Sequence, residues 1–139
     1  MESKPANRHD SPDRGGYSHS TRSPGNNGKR NAFGSPIGSF QNTRFKLADL
    51  KSDLAVGWAY ADQCLREHIN HELTTYAAST AKLWITEMHG RVVDQCLQFF
   101  GGYGFMRDYE ICRLYADARV LRIYGGTSEI MRELISRSL

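Results

Sequence analysis

From Thr75 to Gly102 the chain reads TYAASTAKLWITEMHGRVVDQCLQFFGG. Ala77, Ala81, Trp84, Ile85, Met88, Val92, Cys96 and Phe99 recur every three, four or seven residues, the spacing of one apolar stripe on an α-helix. Thr74 or Thr75 can cap the start. Gly101-Gly102 stops the end, because glycine leaves the helical conformation without a side-chain clash. A helix of this length needs neighbours on its apolar side, and the flanking sequence supplies them.

On the N-terminal side, Ser35 can cap and Pro36 suits a first helical position. Ile37, Phe40, Leu47, Leu54, Trp58, Ala61 and Leu65 then predict one amphipathic helix to about His68, which Gly57 interrupts only mildly. Asn70, His71 and Glu72 form the turn. On the C-terminal side, Asp108 can cap a third helix carrying Ile111, Leu114, Tyr115 and Ala118. Gly125-Gly126 breaks the chain again, and Thr127 caps a last helix with Ile130, Met131, Leu134 and Ile135. No segment alternates with period two, so the expected fold is all-α, an antiparallel helical bundle.

The chain has 139 residues, enough for one domain with a tail. Residues 1–29 hold Pro, Gly, Ser, Asn and charges, with Tyr17 the single large apolar residue after Met1, and are expected to form a disordered polar tail. Residues 1–34 carry six basic and three acidic groups, which accounts for the whole net charge of +3. The remainder is neutral and offers no field for nucleic acid. No apolar run approaches the roughly 18 residues of a spanning helix. The tail lacks the apolar core of a secretory signal. Cys64, Cys96 and Cys112 fit no metal or disulfide spacing. His68 and His71 share a helix face, but no set of partner ligands accompanies them, so no metal site is expected.

Three segments suggest more than packing. Arg30, Phe33 and Gly34, with Gln41 further on, place a cation and a flat ring before a helix, suited to a phosphate and an aromatic ligand. The plain alternative is a chance pattern. Gln98-Phe99-Phe100-Gly101-Gly102-Tyr103-Gly104-Phe105, followed by Asp108, Arg113 and Asp117, combines a hydrogen-bonding amide with glycines that admit a ligand to the backbone. The alternative is a helix stop and a tight turn. Tyr124-Gly125-Gly126-Thr127-Ser128-Glu129 opens a helix whose N–H groups and dipole favour an anion. The alternative is an ordinary capped helix start.

In this order the three segments resemble the C-terminal domain of acyl-CoA dehydrogenases over residues 29–139, and in particular the long-chain and isovaleryl types. The resemblance implies an FAD-dependent oxidoreductase acting on the CH–CH group of acyl-CoA thioesters, in fatty-acid or branched-chain catabolism. In that scheme the α-proton and β-hydride leave, FAD takes the hydride, and an electron-transfer flavoprotein reoxidises it. Arg30, Phe33 and Gln41 match flavin contacts, Arg30 reaching across a dimer interface. Gln98, Phe99, Phe100, Gly101 and Gly102 match the stretch lining the adenosine part. Thr127, Ser128 and Glu129 match another FAD contact, and Gly126 a backbone contact near the thioester. Gly125 stands where many members carry the catalytic Glu, so no catalytic residue is assigned. The small-residue members take the base from an earlier helix. The implied setting is a homo- or hetero-oligomer in a bacterial cytoplasm or mitochondrial matrix. Two domains of the family are missing, so a truncated or split chain, inactive alone, is expected. A non-catalytic helical module assembling with a full-length relative is the alternative. Trp58, Leu83 and Phe105 are expected to be left exposed.

Overall fold

A computed structural model describes residues 31–139. The expected tail and Arg30 lie outside the described residues. Among the described residues the chain is all-α apart from one minimal hairpin. Strands β1 (Asn31–Ala32) and β2 (Ser35–Pro36) pair antiparallel, Asn31 opposite Pro36 and Ala32 opposite Ser35. Phe33 (φ 52°) and Gly34 (φ 78°) make the two-residue turn, the left-handed geometry that suits a twisted hairpin.

This hairpin corrects the expected start of the first helix. Ser35 is held in the ladder and Pro36 is extended (ψ 136°), so neither opens a helix. One 3-10 turn (Ile37–Ser39) follows, tied by Ser39 Oγ donating to the Pro36 carbonyl at 2.6 Å. Helix α1 then runs Gln41–Ile69. Its last turn holds Arg66, a cation at the negative dipole end. Helix α2 is Thr75–Phe100, and Thr74 Oγ1 accepts from the Ala77 N–H at 3.1 Å as its cap. A 3-10 turn (Gly101–Phe105) leads to α3 (Glu110–Val120) and α4 (Ser128–Ser136). Asp108 does not cap α3. The cap position is Tyr109, without a side-chain bond, and its ring instead meets Phe100 edge-on at 6.2 Å.

Helices α1, α3 and α4 each pack on α2. One core cluster joins Leu50 to Met88, Val92 and Phe99, with Leu47, Leu54, Trp84, Ile85 and Cys96 against it. The other joins Val93 to Ile111 and Ala118. The buried face of α1 is Thr43, Leu50, Gly57 and Cys64, a strict seven-residue row. The expected face lay to one side of it: Trp58 and Leu65 are exposed, at 53% and 56%. Gly57 is the reason the row can pack. A Cβ there would stand 2.7 Å from Met88 Cε and 3.2 Å from the Trp84 ring, so glycine sets how closely α1 approaches α2. Phe105 is exposed as expected, while Leu83 is half-buried.

Candidate functional site

The segment between α3 and α4 is pinned to α2 at two points. Lys82 Nζ donates to the Leu121 carbonyl at 2.6 Å and to the Gly126 carbonyl at 3.4 Å. It also lies 5.7 Å from the centre of the Tyr124 ring, a favourable place for a cation. Five residues on, Glu87 accepts from Ser128 Oγ at 2.7 Å and from Arg122 Nη1 at 3.2 Å. These bonds, Ser128 first, hold the Glu87 carboxyl below the usual carboxylate range against the opposing effect of burial. Gly125 (φ 64°) and Gly126 (φ 99°) turn the chain between the two pins. The sequence gives a reason for both glycines, since side chains are strained at such φ values.

Thr127 opens α4. Its Oγ1 accepts from the Ile130 N–H at 3.4 Å. Glu129 is fully exposed, and its carboxyl is lowered first by its own backbone N–H and then by Thr127. The first N–H of the helix, on Ser128, donates to the Arg122 carbonyl. The start of α4 is therefore already satisfied by its own residues. Ser128 is buried and faces Glu87. A polar recess of about 200 Å³ lies beside it, lined by Glu87, Arg119, Arg122, Ile123 and Thr127–Glu129.

The second group of residues sits elsewhere. Gln98 is exposed at the end of α2, and Gly101 (φ 57°) and Gly102 follow. No atom lies within 4 Å of where a Cβ on Gly102 would stand, so this is an open backbone ledge. Phe99 turns into the core, which leaves only its backbone for a ligand. Phe100 packs half-buried against the Tyr109 ring. Contacts from Asp53 to Arg91 and from Tyr60 to Ala77 set α1 antiparallel to α2. The exposed Phe33 and Gln41 therefore lie toward the same end of the pair as the ledge. Glu87 and Gln98 are separated by about 16 Å of helix at 1.5 Å per residue. One copy of the chain thus holds two separate groups of expected site residues. Lys82, Glu87 and Arg122 went unread in the sequence. The signal was a lysine and a glutamate flanking the apolar run Leu83-Trp84-Ile85, on a face that another element must cover.

Among the described residues no group of three or more His, Cys, Asp or Glu could hold a metal. None of their helices is long and apolar enough to cross a membrane. The family described as "Acyl-CoA dehydrogenase, C-terminal domain" matches residues 27–139. The chain belongs to the acyl-CoA dehydrogenase family. The long-chain specific acyl-CoA dehydrogenase of Rattus norvegicus is 45% identical over 111 residues, which is 80% of this chain and 26% of that enzyme. The Bacillus subtilis protein named probable acyl-CoA dehydrogenase YngJ is 42% identical over 113 residues, 29% of its length. An acyl-CoA dehydrogenase structure from Geobacillus kaustophilus superposes with a TM-score of 0.78 at 40% identity, over 81% of this chain and 30% of that one. The four helices are the all-α C-terminal domain of this FAD-dependent acyl-CoA dehydrogenase family. The chain spans just over a quarter of the length of the curated relatives it matches.

Proposed function

We propose that the chain contributes the C-terminal half-sites of an FAD-dependent acyl-CoA dehydrogenase of the long-chain type and does not turn over alone. The observation that carries this is the pinned turn at Gly125-Gly126, held in left-handed backbone just ahead of the α4 cap Thr127. The open ledge at Gly101-Gly102, with the exposed Gln98 amide, fits a flat adenosine group laid on backbone. Phe100 belongs to the same ledge. Thr127 and Glu129 present hydroxyl and carboxylate groups suited to the hydroxyls of the cofactor. The Glu129 carboxylate argues against a pyrophosphate at that point, since two anions would repel. Phe33 and Gln41, with Arg30, reach toward the cofactor of a second copy.

When bound, FAD supplies the hydride acceptor. The chain's own residues would orient: the Gly126 backbone would meet the thioester, the Gln98–Gly102 ledge would hold the adenosine part of FAD, and Thr127–Glu129 would hold another part of it. Gly125 has no side chain to take the α-proton. Glu129 is a poor substitute, because the bonds that lower its pKa make it a weaker base. The base comes from outside residues 31–139. The substrate is an acyl-CoA thioester and the electron acceptor an electron-transfer flavoprotein, in bacterial cytoplasm or mitochondrial matrix.

The test has two arms. The isolated chain, mixed with FAD, desalted and given acyl-CoA with a dye acceptor, is expected to show no turnover. Turnover would overturn the need for further segments. A chimera placing residues 27–139 into the rat long-chain enzyme is expected to retain flavin and dehydrogenate. A folded but colourless chimera would overturn the flavin contacts. The shallow core and exposed apolar side chains of α1 favour a second reading, a helical module that assembles with a full-length relative without catalysing. It requires co-purification with such a flavoprotein.

A further inference from the structure

The Gly125-Gly126 turn has no side chain of its own with which to hold a conformation. Two glycines in succession also lose the most backbone freedom on ordering. Its geometry must therefore be imposed from outside. The described structure offers one means: Lys82, half-buried on α2 beside Trp84 and Ile85, reaches across to the carbonyls of Leu121 and Gly126. These two carbonyls bracket the turn. The charge loses hydration in this place, and the two carbonyls replace it. A methionine would fill the same space with less desolvation, so packing alone does not call for a lysine. The Tyr124 ring, between the two carbonyls in sequence, gives the ammonium a third neighbour.

We infer that Lys82 is a positioning residue for the acyl thioester: by holding the Leu121 and Gly126 carbonyls it fixes the two-glycine turn whose Gly126 N–H meets the substrate. Glu87 performs the matching task about one and a half turns further along α2, securing Arg122 before the turn and Ser128 after it. A fixed backbone donor matters most when charge develops on the thioester oxygen. Loss of the clamp thus falls on the chemical step more than on binding. The inference rests on the proposed function for its catalytic meaning, and on the geometry alone for the clamp itself.

Two measurements separate these. In the full 139-residue chain, nuclear magnetic resonance is expected to show a Lys82 ammonium signal coupled through hydrogen bonds to the Leu121 and Gly126 carbonyl carbons. It should be distinct from the solvent-averaged signals of Lys46 and Lys51. A Lys82 signal that averages with theirs overturns the clamp, without any variant having to fold. In the chimera described above, Lys82→Met is expected to lower kcat about tenfold, with KM and flavin content changed less than about twofold, and Lys82→Arg to recover most of the loss. Unchanged kcat, or equal losses in both variants, overturns the positioning role. A parent chimera that holds no flavin sinks the proposed function instead and leaves the resonance measurement to judge the clamp.

Discussion

Glu87 ties α2 to the start of α4 through Ser128 and Arg122, and its lowered carboxyl makes that tie pH-dependent. A carboxyl with a depressed folded pKa contributes stability fully above its unfolded pKa, near 4.3 for glutamate, and loses it as pH falls through the folded value. Melting temperatures from pH 7 to pH 3 should therefore fall less steeply for Glu87→Gln than for the wild type. At pH 7 the variant should be less stable by about 1 kcal/mol. Parallel melting curves for the two proteins would contradict this. The sequence exposed only part of this site. Thr127 reads as a cap because the pattern is local, and the cap is there. Ser128 reads only as part of the same helix opening; that it is buried against Glu87 could not be read, because its partner lies 41 positions away on another helix. Spacing along a chain carries no information about such a partner.

At the level of the elements, α2 was legible nearly whole, since it is apolar enough that its stripe, cap and glycine stop all agree. Helix α1 was legible as a helix but not in its rotation. Its buried row includes a threonine, a glycine and a cysteine, while larger apolar residues sit beside it. Choosing the largest residues turned the expected face toward Trp58 and Leu65. The correct row emerges only once Gly57 is seen as the place where Met88 fits. Two substitutions separate the faces. Leu50→Ala should cost about 2–3 kcal/mol in urea unfolding, as it empties part of the α1–α2 core. Leu65→Ala should change stability by less than about 0.5 kcal/mol. Comparable losses would return Leu65 to the core. The hairpin before α1 was unreadable, since two residues per strand are too few for any period to register.

For the whole molecule, the order of the three motifs along the chain was enough to read the family, and the match over residues 27–139 agrees. Their arrangement in space was not legible, because it depends on helix lengths and packing. No described side chain of the core is wholly sealed from solvent, and Phe33, Phe45, Val56, Trp58, Ile69 and Phe105 are all more than half exposed. Apolar surface of this extent belongs against a partner. Sedimentation equilibrium should accordingly show an apparent mass that rises with concentration. A constant monomer mass of 15.7 kDa at high concentration would contradict this.

Because α1, α3 and α4 all lean on α2, the molecule is built like a post with three braces. Any brace can detach while the other two keep their footing, but nothing stands without the post. Amide exchange should report this as an order of opening: the braces exchange first, through separate partial openings, and the middle of α2 last, only when the whole chain comes apart. One proposed half-site sits at the end of the post, while the other is the foot of the α4 brace, tied to the middle of the post by Lys82 and Glu87. A ligand touching the second would then be held only as long as that brace stays attached.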